Sequence, residues 1–209
     1  MVPFNAAEYF LDRHVQAGRG DRLALRVHGR SLTYADLLAA ACAAAGGLRR
    51  LGVRPEERVL LVLLDGVEFV ATFLGAMRLG AVPVPVNPLL PGPDLASIAA
   101  DARAGVAVLS GEKAAVAADL AAGAPELTAL VVTGAGPLPR EHRLDVHRYC
   151  EALEEPAEVA HHAAWEDSPG FWLCTSGTTG RPSDPVFRSR PPRCAPGSGA
   201  VPTPAARRS

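Results

Sequence analysis

Residues 58 to 64 read Arg-Val-Leu-Leu-Val-Leu-Leu, a nearly unbroken apolar run stopped by Asp65. A strand with one face in water alternates apolar and polar residues; a strand without that alternation is covered on both faces. Such a strand demands helices on either side of its sheet, and the neighbouring chain supplies them. Thr33 and Asp36 form a capping box, Asp replacing the usual Glu, ahead of an alanine-rich helix over Tyr34 to Leu51 that ends at Gly52. A second helix is predicted over Val67 to Leu79, stopped by Gly80, and others over Asp94 to Arg103 and Glu112 to Ala122. Val106 to Leu109, Leu130 to Thr133 and Phe171 to Cys174 read as strands. Ala81 to Asn87 carries two prolines and belongs at a sheet edge or in an extended segment. Near the start, Asn5 caps a helix through Val15 that Gly18 closes, and short strands at Leu23 to Val27 and Ser31 to Thr33 flank a His28-Gly29-Arg30 turn. Residues 134 to 148 read as loop and Tyr149 to Glu155 as a short helix. Strands and helices alternate repeatedly, which predicts an α/β fold with a mostly parallel sheet flanked by helices.

Composition narrows the class of protein. Apolar residues make up 48% of the 209, enough for a sizeable core. The formal charge of −1 gives no basic excess for nucleic acid or an anionic membrane surface. Cys42, Cys150, Cys174 and Cys194 lie far apart without a C-x-x-C pair, which argues against a zinc site or disulfide framework and for a reducing compartment. The N-terminus lacks the basic and apolar regions of a signal peptide, and the run ending at Leu64 is too short to span a bilayer. These features point to a cytoplasmic protein.

The chemistry concentrates in residues 175 to 182, Thr-Ser-Gly-Thr-Thr-Gly-Arg-Pro, directly after the predicted strand at Phe171 to Cys174. Thr175, Ser176, Gly177, Thr178, Thr179 and Gly180 place four hydroxyls and two glycines in six positions. Glycines let a backbone turn tightly and bring its N–H groups close to an anion. Hydroxyls add rotatable donors. The pattern suits a polyphosphate, and it is not a Walker loop, whose G-x-x-x-x-G-K-S/T spacing is missing. Other polar residues invite blander readings. His161-His162 reads as a solvated loop pair, Cys174 as a small core residue, Trp165 and Trp172 as core or interface anchors, and Asp12 and Arg13 as surface charges.

The octet resembles the phosphate-binding loop of the AMP-forming adenylate ligases, the superfamily of acyl-CoA synthetases, peptide-synthetase adenylation domains and luciferases. Thr175 to Gly180 and Pro182 match its pattern; Ser183 and Asp184 stand where lysine and glycine usually follow. Upstream, Ser31 to Leu37, Leu51 to Val53 followed by Arg58-Val59, and Phe73 to Ala76 with Gly80 to Pro88 are similar to the family's early strand and helix passages. The opening, Asn5 to His14 and then Gly18-Arg19-Gly20-Asp21, is similar to the benzoate- and hydroxybenzoate-CoA ligase branch. The resemblance covers residues 4 to 182, well under half of a full-length member.

It implies the partial N-terminal domain of such a ligase over residues 1–182. It implies ATP with Mg²⁺, coenzyme A as co-substrate, and a small carboxylic acid, benzoate-like, activated through an acyl-adenylate. It assigns Thr175, Ser176, Gly177, Thr178, Thr179 and Gly180 to the outer phosphates of ATP. No catalytic residue and no metal ligand is assigned, because the family's acyl pocket and catalytic lysine lie beyond the loop. Other branches, fatty-acyl or peptide-synthetase, stay open, as does the alternative of a truncated, inactive product or weak nucleotide binder. No nucleic-acid or membrane partner is expected, and the oligomeric state is left open.

From Ser183 the chain changes character. Residues 183 to 209 hold six prolines and five arginines, with Asp184 the sole acid. Burial there cannot offset the entropy of ordering, so a disordered tail is predicted. A genuine basic tail, a linker to a lost domain and a shifted reading frame all fit. The abrupt change inside a motif that should continue favours the frameshift.

Overall fold

The computed structural model describes residues 4–165, 167–174 and 185–188. The chain opens with a π-helical turn, Glu8–Asp12, continuing into α1 (Arg13–Gln16). Asn5 caps it as expected: its Oδ1 accepts from the N–H groups of Ala7 at 3.0 Å and Glu8 at 3.4 Å. Gly18 ends the segment at φ +69°. Strands β1 (Leu23–Val27) and β2 (Arg30–Thr33) form an antiparallel hairpin. His28 and Gly29, both at positive φ, make its two-residue turn.

Helix α2 (Tyr34–Arg50) begins at the capping box: the Thr33 hydroxyl accepts from the Asp36 N–H, and the Asp36 carboxylate accepts from the Thr33 N–H. There follow β3 (Arg58–Val62), α3 (Val67–Leu79), β4 (Val82–Pro85), α4 (Gly92–Asp101) and β5 (Val106–Leu109). The helix expected over Glu112 to Ala122 is instead a 3₁₀ turn, Gly111–Val116, leading into α5 (Ala117–Gly123). β6 (Ala129–Val132), β7 (Asp145–Arg148) and α6 (Tyr149–Ala152) come next, α6 stopping three residues before the predicted Glu155. β8 (Trp172–Cys174) and β9 (Pro185–Arg188) close the described chain.

Five strands form one parallel sheet in the order β4-β3-β5-β6-β7. Burial on both faces explains the unbroken apolar strands. Leu60, Val62, Ala107, Leu109 and Leu130 face one side, where they pack with Leu95 and Ile98 of α4 and Leu120 of α5. Val59, Leu61, Val106, Val108 and Val131 face the other, with Leu48 of α2, Ala76 and Leu79 of α3, and Tyr149. Each face of a strand such as β3 is thus covered by its own helical layer. The proline-bearing β4 takes the sheet edge, as predicted. Among the described residues no helix is long and apolar enough to cross a membrane.

Two expectations need correction. Residues 134 to 148 were expected to be loop throughout, yet Asp145–Arg148 is the far edge strand, parallel to β6. Its sequence, Asp-Val-His-Arg, has no apolar run; it is held instead by the buried Leu144 and by Arg143. That guanidinium donates to the carbonyls of Ala121 and Ala124 at 2.8 Å and Leu127 at 2.9 Å, tying the strand's approach to the end of α5. Asp12 is not a surface charge: its carboxylate pairs with Arg78 at 2.7 Å, both side chains about nine-tenths buried. Arg13 does stay exposed, its guanidinium 3.5 Å from the Tyr9 ring centroid. The predicted tail, residues 183–209, lies outside the described residues except for Pro185–Arg188. Those four form a strand antiparallel to β8; Val186 and Phe187 are strand-favouring residues.

Candidate functional site

Strand β8 carries the chain into the hydroxyl-and-glycine octet. Its alternation is simple: Trp172 and Cys174 pack against the α4–α5 side of the core, and Leu173 between them faces outward, 40% exposed. β8 lies alongside the β4 edge of the main sheet. One residue earlier, the Phe171 ring meets Phe73 of α3 edge-on, centroids 5.4 Å apart. The Arg58 guanidinium sits 5.7 Å from the Trp172 ring centroid. The β8–β9 pairing sets Cys174 opposite Pro185, so the chain enters and leaves the intervening segment at one end of a two-stranded ribbon.

Thr175, Ser176, Gly177, Thr178, Thr179 and Gly180, the predicted phosphate-binding residues, lie outside the described residues, as do Arg181 to Asp184. Cys174, on their doorstep, is half-buried, and burial pushes its thiol above the usual range. It behaves as the small core residue the sequence suggested. Trp172 is a core anchor, whereas Trp165 is 46% exposed. His161 and His162 are exposed, and the His162 N–H donates to the Arg78 carbonyl at 2.8 Å. Among the described residues no group of three or more His, Cys, Asp or Glu is arranged to hold a metal ion.

One feature had no sequence signal. An open cavity of about 310 Å³ lies at the carboxyl ends of β6 and β7, bounded by Glu68, Thr133, Arg148, Tyr149, Cys150 and Glu154. Tyr149 is the buried member of its lining. Its hydroxyl lies 3.0 Å from that of Thr72 and 3.3 Å from the Glu68 carbonyl, and burial raises its pKa far above the ordinary phenol. Arg148 is already engaged by the carbonyls of Gly136 at 3.0 Å and Gly134 at 3.3 Å. These residues come together only through the parallel pairing of β6 with β7, which periodicity did not reveal.

Comparison with known proteins gives the context. The chain is 35% identical over 190 residues to the 4-hydroxybenzoate–CoA/benzoate–CoA ligase of Rhodopseudomonas palustris, covering 91% of this chain and 34% of that protein. It is 36% identical over 186 residues to the benzoate–CoA ligase of Thauera aromatica, covering 88% and 34%. The crystal structure of the anthranilate CoA ligase AuaEII in complex with anthranoyl-AMP superposes with a TM-score of 0.78 at 30% identity, covering 87% of this chain and 34% of that one. The chain therefore spans about a third of the length of these relatives. Residues 11–183 match the model of the AMP-binding enzyme family, so an α/β sheet that leads by its last core-packed strand into a hydroxyl-and-glycine segment belongs to that family.

Proposed function

We propose that the fold to which this chain contributes activates an aromatic carboxylic acid, benzoate-like, at the expense of ATP. A carboxylate is a poor electrophile. Its oxygen attacks the α-phosphorus of ATP, pyrophosphate leaves, and the acyl-adenylate then yields its acyl group to the thiol of coenzyme A as AMP departs. Thr175 to Gly180 grip the β- and γ-phosphates, their N–H and O–H donors stabilising the charge that gathers on departing pyrophosphate. Magnesium arrives as part of MgATP. The observation that carries this reading is the family match running through the octet to residue 183, joined to relatives named for benzoate and hydroxybenzoate. Residues 1–182 then make up an incomplete N-terminal domain of a cytoplasmic ligase, and residues 183–209 stand outside it.

For the 209-residue polypeptide itself we infer no complete reaction. Ser183 and Asp184 replace the lysine and glycine of the loop, removing a compact cation from beside the phosphates and adding a carboxylate. ATP–pyrophosphate exchange tests both statements. With the missing part restored, exchange depends on benzoate or a hydroxybenzoate; none with any aryl acid rejects the substrate class. Substantial adenylation by the purified 209-residue chain overturns the inference of inactivity.

A further inference from the structure

Strand β8 is three residues long and makes its backbone ladder with β9. Its place beside the main sheet therefore depends on side chains, and two neighbouring rings reach in opposite directions around the β4 edge. Phe171 meets Phe73 on the α2–α3 side. Trp172 joins the α4–α5 core on the other. Among the described residues the indole N–H of Trp172 is buried without a hydrogen-bond partner, so none of their polar groups fixes the ring by a directional bond.

Arg58 supplies the fixed element. Its Nε donates to the Ala102 carbonyl at 2.5 Å and a terminal nitrogen donates to the Arg103 carbonyl at 3.3 Å. Ala102 is the C-cap of α4 and Arg103 follows it, so both acceptors lie at the helix's C-terminal end, where a cation is favoured. Pinned there at the start of β3, the guanidinium presents itself to the Trp172 ring at 5.7 Å, within cation–π range. Cys174, two residues on, senses the carboxylate of Asp101 at the same helix end. β3, the end of α4 and β8 are thus joined through one planar side chain.

We propose that Arg58 is a positioning residue: by clamping Trp172 against the end of α4 it sets where strand β8 delivers the chain to the nucleotide. The proposal rests on the phosphate-loop reading of residues 175–180. Arginine suits the role because a planar fork can hold two carbonyls and still offer a face to an indole, whereas a lysine ammonium cannot do all three.

The test uses the 209-residue chain and its Arg58→Met, Arg58→Lys and Trp172→Leu variants. Amide hydrogen exchange is followed in β8 and, as an internal reference, in β5 and β6. MgATP affinity is measured on the same variants with the downstream part of the ligase fold restored. In Arg58→Met the β8 amides should exchange about tenfold faster while β5 and β6 stay unchanged, the signature of local opening. MgATP binding should weaken about tenfold, since misplacement by ~1 Å costs up to ~10²-fold at a positioned site. Arg58→Lys should fall between the two. Should Arg58→Met fail to fold, Trp172→Leu is read the same way, because it leaves the carbonyl bonds of Arg58 in place. Unchanged β8 exchange, loosening shared equally by β5 and β6, or loosened β8 with unaltered MgATP affinity each overturns the proposal. Absence of MgATP binding by the unsubstituted restored chain would remove the phosphate-loop reading instead, leaving the exchange comparison to decide whether the clamp exists.

Discussion

Asp12 and Arg78 show how far a residue's setting can differ from its bland sequence context. The first helix offers Asp12-Arg13 as adjacent charges, yet only Arg13 faces solvent. Asp12 turns inward to the Arg78 guanidinium, whose Nε also donates to the Val159 carbonyl at 2.5 Å. Removing one partner of a buried pair leaves the other charge uncompensated, a loss of about 3–5 kcal/mol. Asp12→Asn should therefore lower the unfolding free energy by about 3 kcal/mol in urea titration, where Arg13→Ala costs under about 1 kcal/mol. Equal effects would show that the pair is dispensable. The cysteines separate in a similar way. Cys174 is half-buried with its thiol pKa raised by that burial, while Cys150 is exposed. A raised pKa leaves less thiolate at neutral pH, so alkylation of Cys174 should lag that of Cys150. The lag should narrow as pH climbs through the raised pKa; peptide mapping by mass spectrometry reads both sites. A Cys174 that reacts first would contradict its place in the core.

Elements differed in legibility according to what holds them. β3 and β5 were readable because burial on both faces writes itself as continuous apolar sequence, and α2 and α3 because caps and closing glycines mark their ends. β7 was not, since its register depends on Arg143 reaching the carbonyls at the end of α5, an interaction without periodicity. The octet stands out by its residue types but lies outside the described residues, whereas the cavity at the carboxyl ends of β6 and β7 was invisible because its walls meet only in the folded sheet. Helix contact explains another feature that composition obscured. Gly75 of α3 looks like an ordinary member of an Ala/Gly-rich chain, but a Cβ there would lie 2.8 Å from the Ala41 carbonyl oxygen and 2.8 Å from the Ala44 side chain of α2. Neither backbone can yield without moving a helix. Gly75→Ala should cost about 1–3 kcal/mol despite its better helix propensity. Gly105, with nothing within 4 Å of an added Cβ and no positive φ, makes the control. Gly105→Ala should be neutral or stabilising by up to ~1 kcal/mol. Thermal melts of the two variants in parallel decide it; a Gly75→Ala protein as stable as the parent would mean that α2 and α3 can part enough to admit a methyl group.

At the scale of the whole molecule, the chain combines a well-covered sheet with apolar side chains left in water. Both faces of the five-stranded sheet carry helices, but Leu89 is 77% exposed, Phe10 53%, Leu23 51% and Leu64 43%. Leu89 follows β4 and Leu64 follows β3, so both lie beyond the carboxyl ends of neighbouring strands. Scattered exposed leucines are ordinary on a monomer; two at one end of a parallel sheet, with Leu173 outward on β8, resemble an unfinished surface. The relatives are about three times as long as the part matched here, and a fold of that size has ample chain to cover such a surface. The 209-residue chain should therefore self-associate or depend on a chaperone, and should bind a hydrophobic dye. Restoring the downstream two thirds should lower dye binding and yield a defined species by light scattering. Replacing Leu89 and Leu173 with serine gives an independent arm: if those side chains drive association, the doubly substituted short chain becomes more monodisperse and binds less dye. A short chain that is already monomeric and melts in one sharp transition would show that the exposed leucines are tolerated and that this third of the ligase fold is self-sufficient.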